Sequence, residues 1–219
     1  ERVGGVPEKI LLGQNISVIT KNGKELSGII GTKSHHATQP DEKYKVPSYR
    51  DLYIDLGLRT ASEVRTNGID IGSPIVYKPS AEVIGDEKII GTSVDDRAGC
   101  AVLLEVARQI NSRAAGPEIN IVFTVQEEFN LRGALPVAQK IKPEIAIQID
   151  LLLASDTPDM RDFGEIKLGE GPGISMFSFH GRGTLNGVIP HPVLVKHFEQ
   201  AASKENINLQ KSAHIGALT

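Results

Sequence analysis

Ile119-Asn120-Ile121-Val122-Phe123-Thr124-Val125-Gln126-Glu127-Glu128 is the stretch on which the reading of the fold turns. Seven residues, nearly all apolar or β-prone, are followed at once by two carboxylates. Such a run predicts a strand covered on both faces by helices, which is the habit of parallel sheets in α/β proteins. Working outward, Ile145-Ala146-Ile147-Gln148-Ile149-Asp150 repeats the pattern and ends on a third carboxylate. Upstream, residues 88–90 are a strand candidate, 93–96 a turn, and 98–110 carry apolar residues at helical spacing. Downstream, residues 135–141 suit a helix with Pro136 in its first turn, where proline is tolerated. Beyond a Gly-rich stretch from Gly164 to Gly187, residues 192–206 read as an amphipathic helix. Residues 87–219 are therefore expected to be an α/β domain, a mainly parallel sheet flanked by helices.

Residues 1–86 have a different period. Residues 16–20 and 25–30 are β-prone and flank Lys21-Asn22-Gly23-Lys24; Asn-Gly between such runs is a strong hairpin signal, with both central residues expected at φ > 0. Residues 52–56 and 75–78 are further short strands. Thr60-Ala61-Ser62-Glu63 has capping-box spacing and Asn67-Gly68 a helix stop, so one brief helix fits between them. His35 to Glu42 is a polar loop. An inserted small β-barrel is the natural expectation. The chain opens on Glu1 and closes on Ile215-Gly216-Ala217-Leu218-Thr219, and is read as the middle of a longer protein, cut at both ends.

Composition removes several function classes. A net charge of −3, a pI near 6.1 and scattered Lys and Arg leave no basic tract for a nucleic acid to follow. No apolar run approaches the roughly 18 residues of a membrane span, and no signal-peptide pattern opens the chain. Cys100 is the single cysteine, which excludes an intrachain disulfide and fits a reducing, cytoplasmic compartment. Aromatic residues make up 5% and Trp is absent, which argues against a stacked-ring carbohydrate surface.

The acids occupy telling positions. Asp95 and Asp96 open the first helix of the α/β half, Glu127 and Glu128 follow one buried run, and Asp150 ends the next. Open α/β sheets bind ligands beyond the carboxyl ends of their strands, so the three positions are expected to converge. Crowded carboxylates must be compensated by protons or by a cation. A pair of divalent ions about 3.5–4 Å apart would suit them, and a non-ligating Glu could then take a proton from water. The bland alternative stands beside this reading: acid pairs are usually solvated or cap helices, and Asp95 could be an N-cap.

Three motifs carry a family resemblance. Gly91-Thr92-Ser93-Val94-Asp95-Asp96-Arg97-Ala98-Gly99-Cys100-Ala101-Val102-Leu103-Leu104-Glu105 closely resembles the helix-opening motif of the glutamyl and deblocking aminopeptidases that form tetrahedral assemblies. Phe123-Thr124-Val125-Gln126-Glu127-Glu128 with Leu131-Arg132-Gly133-Ala134 resembles their catalytic segment. Ile149-Asp150 through Ser155-Asp156-Thr157-Pro158 is similar to the segment bearing their next ligand. The resemblance spans nearly the whole chain. It implies a zinc-peptidase-like fold in which Asp95 bridges two divalent metal ions, zinc or cobalt. Glu128 would bind one ion and Asp150 the other, with Glu127 as general base, Asp96 in support and the Asp95–Asp96 peptide cis. It also implies peptide substrates and a large homo-oligomer in which residues 1–86 form an inserted dimerisation domain.

The family places Val and Gly where this chain has Phe129 and Asn130, and residues 177–186 depart from its pattern. Its two His ligands lie outside this segment, so the segment alone is expected to be inactive. His35, His36, His180, His191, His197 and His214 are read as exposed or capping residues. Arg132, Arg161 and Arg182 are candidates, by type only, for a pocket that recognises acidic side chains. Two other functions remain open at this point: a catalytically incomplete oligomerisation scaffold, and a glycoside hydrolase, which needs two carboxyl groups about 5–9.5 Å apart around a sugar cleft.

Overall fold

The Asn22-Gly23 signal does make a hairpin. In the computed structural model, which describes residues 2–110, 116–179 and 187–215, β1 (Asn15–Ile19) and β2 (Glu25–Gly31) pair antiparallel from Ile19↔Glu25 to Asn15↔Ile29. The turn is not the two-residue type with two left-handed residues. Gly23 alone takes a positive φ, 75°, its amide donating to the Thr20 carbonyl at 2.9 Å while the Thr20 amide donates to the Lys24 carbonyl at 2.9 Å. A right-handed turn closed by one left-handed glycine is the three-residue alternative, and it asks nothing unusual of Asn22.

β3 (Tyr53–Asp55) pairs with β2, and β4 (Ile75–Tyr77) with β1, both antiparallel, giving the sheet order β3-β2-β1-β4. Among the described residues β3 and β4 do not pair with each other, so this ladder is an open sheet where a barrel was expected. Ile16, Val18 and Ile30 form its buried core, packed by Leu11, Leu52, Leu56, Ile69 and Tyr77. Helix α1 (Ala61–Thr66) starts as its sequence says: Glu63 donates its amide to the Thr60 hydroxyl at 3.1 Å, and its carboxylate accepts from the Arg59 amide at 2.6 Å. A separate hairpin joins β5 (Ala81–Ile84) to β6 (Lys88–Gly91) through residues 85–87. The chain divides into two compact units, Glu1–Val94 and Asp95–Thr219.

The second unit holds helices α2 (Val94–Ile110), α3 (Ala134–Ile141) and α4 (Pro192–Lys204) and a three-stranded sheet. In that sheet β7 (Gly173–Phe179) lies between β8 (Gly187–Val188), antiparallel to it, and β9 (Gln210–Ile215), parallel to it. Gln210 fastens the start of β9 to the turn before β7. Its side-chain oxygen accepts from the Lys167 amide at 2.9 Å, and its nitrogen donates to the carbonyls of Lys167 at 3.1 Å and Gly171 at 2.8 Å. Among the described residues no helix is long and apolar enough to cross a membrane.

The two runs that decided the sequence reading are not strands. Residues 119–125 and 145–150 enter no ladder among the described residues, and β7–β9 is the one parallel pair found there. Val125, Ile145 and Ile147 are 67%, 62% and 60% exposed. The reason is physical: an apolar run becomes a strand only when a neighbour supplies the other half of its hydrogen bonds. Periodicity reports the appetite for burial and not the partner.

Candidate metal and catalytic centre

Helix α2 is interrupted at its start. Asp95 (φ −83°, ψ 112°) and Asp96 (φ −116°, ψ 53°) are non-helical, and the peptide between them is cis, the geometry implied by the resemblance. Regular helix therefore begins after Asp96. Asp96 is the residue that caps it, its Oδ1 accepting the Gly99 amide at 2.8 Å, the favourable place for a carboxylate. From sequence alone Asp95 is an equally good candidate for that role. With the cap supplied by its neighbour, Asp95 is left for other work.

Asp150 arrives from the end of the 145–150 run. Its Oδ1 accepts the Leu151 amide at 2.8 Å, which fixes the carboxyl group. Asp95, Asp96 and Asp150 each bring a carboxylate oxygen to within 4.8 Å of the others. None of the three is buried. Asp95 titrates above its ordinary value of 3.8: partial burial penalises its charge most, and Asp150, Asp96 and Glu128 then repel it in that order. Glu128 thus faces Asp95 electrostatically, although it stands outside the tight group of three.

Glu127 and Glu128, which follow the 119–125 run, lie in a turn. The turn is heavily constrained. Gln126, Asn130 and Leu131 all have left-handed backbones, with φ of 56°, 59° and 54°. The Glu127 carbonyl accepts the Leu131 amide at 2.9 Å, and the Gln126 carbonyl accepts from Phe129 at 3.2 Å and Arg132 at 3.3 Å. Non-glycine residues in this region cluster where structure over-determines them. Asn130 is well chosen, since asparagine tolerates the left-handed region better than most side chains. Phe129 carries the Arg132 guanidinium 5.4 Å above its ring centroid, so Arg132 has a partner within its own loop.

Among the described residues the cluster of possible metal ligands is made of Asp95, Asp96 and Asp150 and includes no histidine. His191 caps α4, its Nδ1 accepting the Val193 amide at 3.3 Å, and His35 meets His36 edge to face. His180 and Arg182 lie outside the described residues. The sequence reading missed Gly99 and Gly133. A Cβ on Gly99 would collide with the Asp96 carboxyl group, and one on Gly133 with the Val125 backbone. Their only sequence signal was a glycine three residues after Asp96 and another just ahead of α3.

What this geometry offers is a group of hard oxygen donors on an α/β scaffold, an arrangement hydrolases use to hold divalent cations. The chain belongs to the M42 glutamyl aminopeptidase family, whose pattern it matches over residues 1–219. It is 36% identical over 219 residues to SgcX of Escherichia coli (strain K12), covering all of this chain and 58% of that protein. Among solved structures it is similar to the TET aminopeptidase from the marine sediment archaeon Thaumarchaeota archaeon SCGC AB-539-E09. That match has a TM-score of 0.87 and 32% identity, over 98% of this chain and 59% of the other. It also resembles the TET1 peptidase of Pyrococcus horikoshii, described as assembling into a tetrahedron or a large octahedral shell. There the TM-score is 0.83 and the identity 28%, over 100% of this chain and 62% of the other. The chain thus spans about three-fifths of the length of these relatives.

Proposed function

We propose that the protein carrying this chain is a metal-dependent aminopeptidase that removes N-terminal residues from peptides. The observation that supports it best is the convergence of Asp95, Asp96 and Asp150, with Glu128 acting on Asp95, in a chain of this family. Carboxylates brought this close favour a compensating proton or cation, and their oxygens suit divalent ions. Asp95 would bridge two ions, with Glu128 on one and Asp150 on the other; Asp96 is committed to its cap and would hold Asp95 in place. Bound zinc or cobalt would polarise the scissile carbonyl and lower the pKa of water.

The chain's own residues then do the proton work. Glu127 would accept a proton from the attacking water on a carboxylate oxygen and hand it to the departing amine nitrogen. The constrained backbone of its turn would hold the Cα of Glu127 in one place relative to that water. Residues 1–86 would form the assembly domain and 87–219 the catalytic one. The shells described for the Pyrococcus horikoshii relative support a homo-oligomer, and the lone Cys100 supports a cytoplasmic location.

The test is Glu127→Gln in the complete protein. Turnover of an aminoacyl amide should fall by roughly 10²–10⁴-fold, the usual worth of a general base, while metal content stays at the wild-type level. Wild-type turnover would remove the role assigned to Glu127.

A further inference from the structure

We propose that Gly133 is a positioning residue for Glu127 and Glu128, acting as the neck of the loop that carries them. This rests on the aminopeptidase reading of that loop. Residues 126–133 leave Val125 and return to it: the Gly133 amide donates to the Val125 carbonyl at 3.0 Å, just beside the Arg132–Gln126 bond at 3.3 Å. Gly133 has φ −74° and ψ −30°, a conformation open to every residue, so backbone freedom is not why glycine stands there. Space is the reason. A Cβ on Gly133 would overlap the Val125 carbonyl oxygen and come within 2.7 Å of the Val125 nitrogen.

Those obstacles are backbone atoms, which cannot swing aside as a side-chain tip can. Relief requires the two stems of the loop to separate. Between the stems, three left-handed residues leave the turn little room to absorb the change locally. Separation of the stems therefore moves both carboxylates relative to Asp95 and Asp150. Gly133 also serves as the N-terminal boundary of α3, so its own position is tied to the helix and the shift falls on the Val125 stem and the loop between them.

The experiment compares Gly133→Ala with wild type, Glu127→Gln and Gly116→Ala in the complete protein; Gly116 has nothing within 4 Å of a built Cβ. Two readouts are taken: amide hydrogen exchange of residues 126–133 without metal, and kcat and KM for an aminoacyl amide with metal. In Gly133→Ala the loop amides should exchange at least tenfold faster, and kcat should fall at least 30-fold with KM within about twofold; Gly116→Ala should match wild type in both. Unchanged exchange in Gly133→Ala overturns the proposal, whatever the activity. Faster exchange with unchanged kcat also overturns it, provided that Glu127→Gln is inactive. Should Glu127→Gln prove active, the aminopeptidase role of the loop fails, and the positioning proposal fails with it. If Gly133→Ala does not fold, the wild type decides: protected amides at Leu131, Arg132 and Gly133 uphold the closed neck, and exchange at the free-peptide rate overturns it.

Discussion

The Asp96 carboxylate stands 2.8 Å from the Gly99 amide, in space that any side chain on Gly99 would fill. One acid of the cluster is thereby spent on the backbone. The division of labour can be tested, because a cap and a metal ligand respond differently to the same substitutions.

Asp96→Asn keeps an oxygen for the Gly99 amide, whereas Asp96→Ala does not. Urea unfolding should show little change for the first and a loss of about 0.5–2 kcal/mol for the second, the range for a missing N-cap. Metal content should follow the cap. Loss of metal in Asp96→Asn with stability intact would make Asp96 a ligand after all.

The raised titration of Asp95 sets a pH dependence. Its folded form holds a proton more tightly than the unfolded chain, whose carboxyl titrates near 3.8. The associated stability is therefore fully present below that value and is lost as pH rises through the higher folded value. Metal-free protein should thus lose stability over that window, measured by urea midpoints at successive pH values, and Asp95→Asn should remove the loss. Divalent cation affinity should run the other way and strengthen with pH, because metal and proton compete for the same oxygen.

Asn130 sits at φ 59°. Asn130→Gly should be neutral or slightly stabilising in urea unfolding, and Asn130→Val should cost about 1–2 kcal/mol or more, since a β-branched side chain is poorly tolerated there. Equal stability of the two variants would show that the turn is not held in that conformation in solution.

In the first unit, Ile16 is 1% exposed at the centre of the sheet core. Ile16→Ala should cost about 2–5 kcal/mol by the usual arithmetic of a large-to-small core change. The check is the unfolding midpoint of the complete protein.

Local chemistry was the part of this fold best read from sequence. The Asn22-Gly23 hairpin, the Thr60 cap and the Pro192 start of α4 each depend on a few neighbouring residues, and each is present. Residues 119–125 and 145–150 have the sequence of buried strands and form none among the described residues, because strand formation depends on a distant partner. β7 was hidden for the opposite reason. It lies in a Gly-rich stretch, yet its ladder with β9 is supplied from beyond α4. The approach of Asp95, Asp96 and Asp150 was legible, since each follows or precedes a strongly patterned segment. Their roles were less so: adjacent Asp95 and Asp96 look alike in sequence, and only the point at which regular helix begins gives one of them the cap.

Gln210 bonds to both Lys167 and Gly171, and so ties the entrance of β9 to the entrance of β7. The chain joining these two strands is released from any duty to set their register. Lengthening a connection costs little, about 0.6 kcal/mol for each doubling. The shared entrance of the two strands is therefore fixed independently of how long the connection between them is.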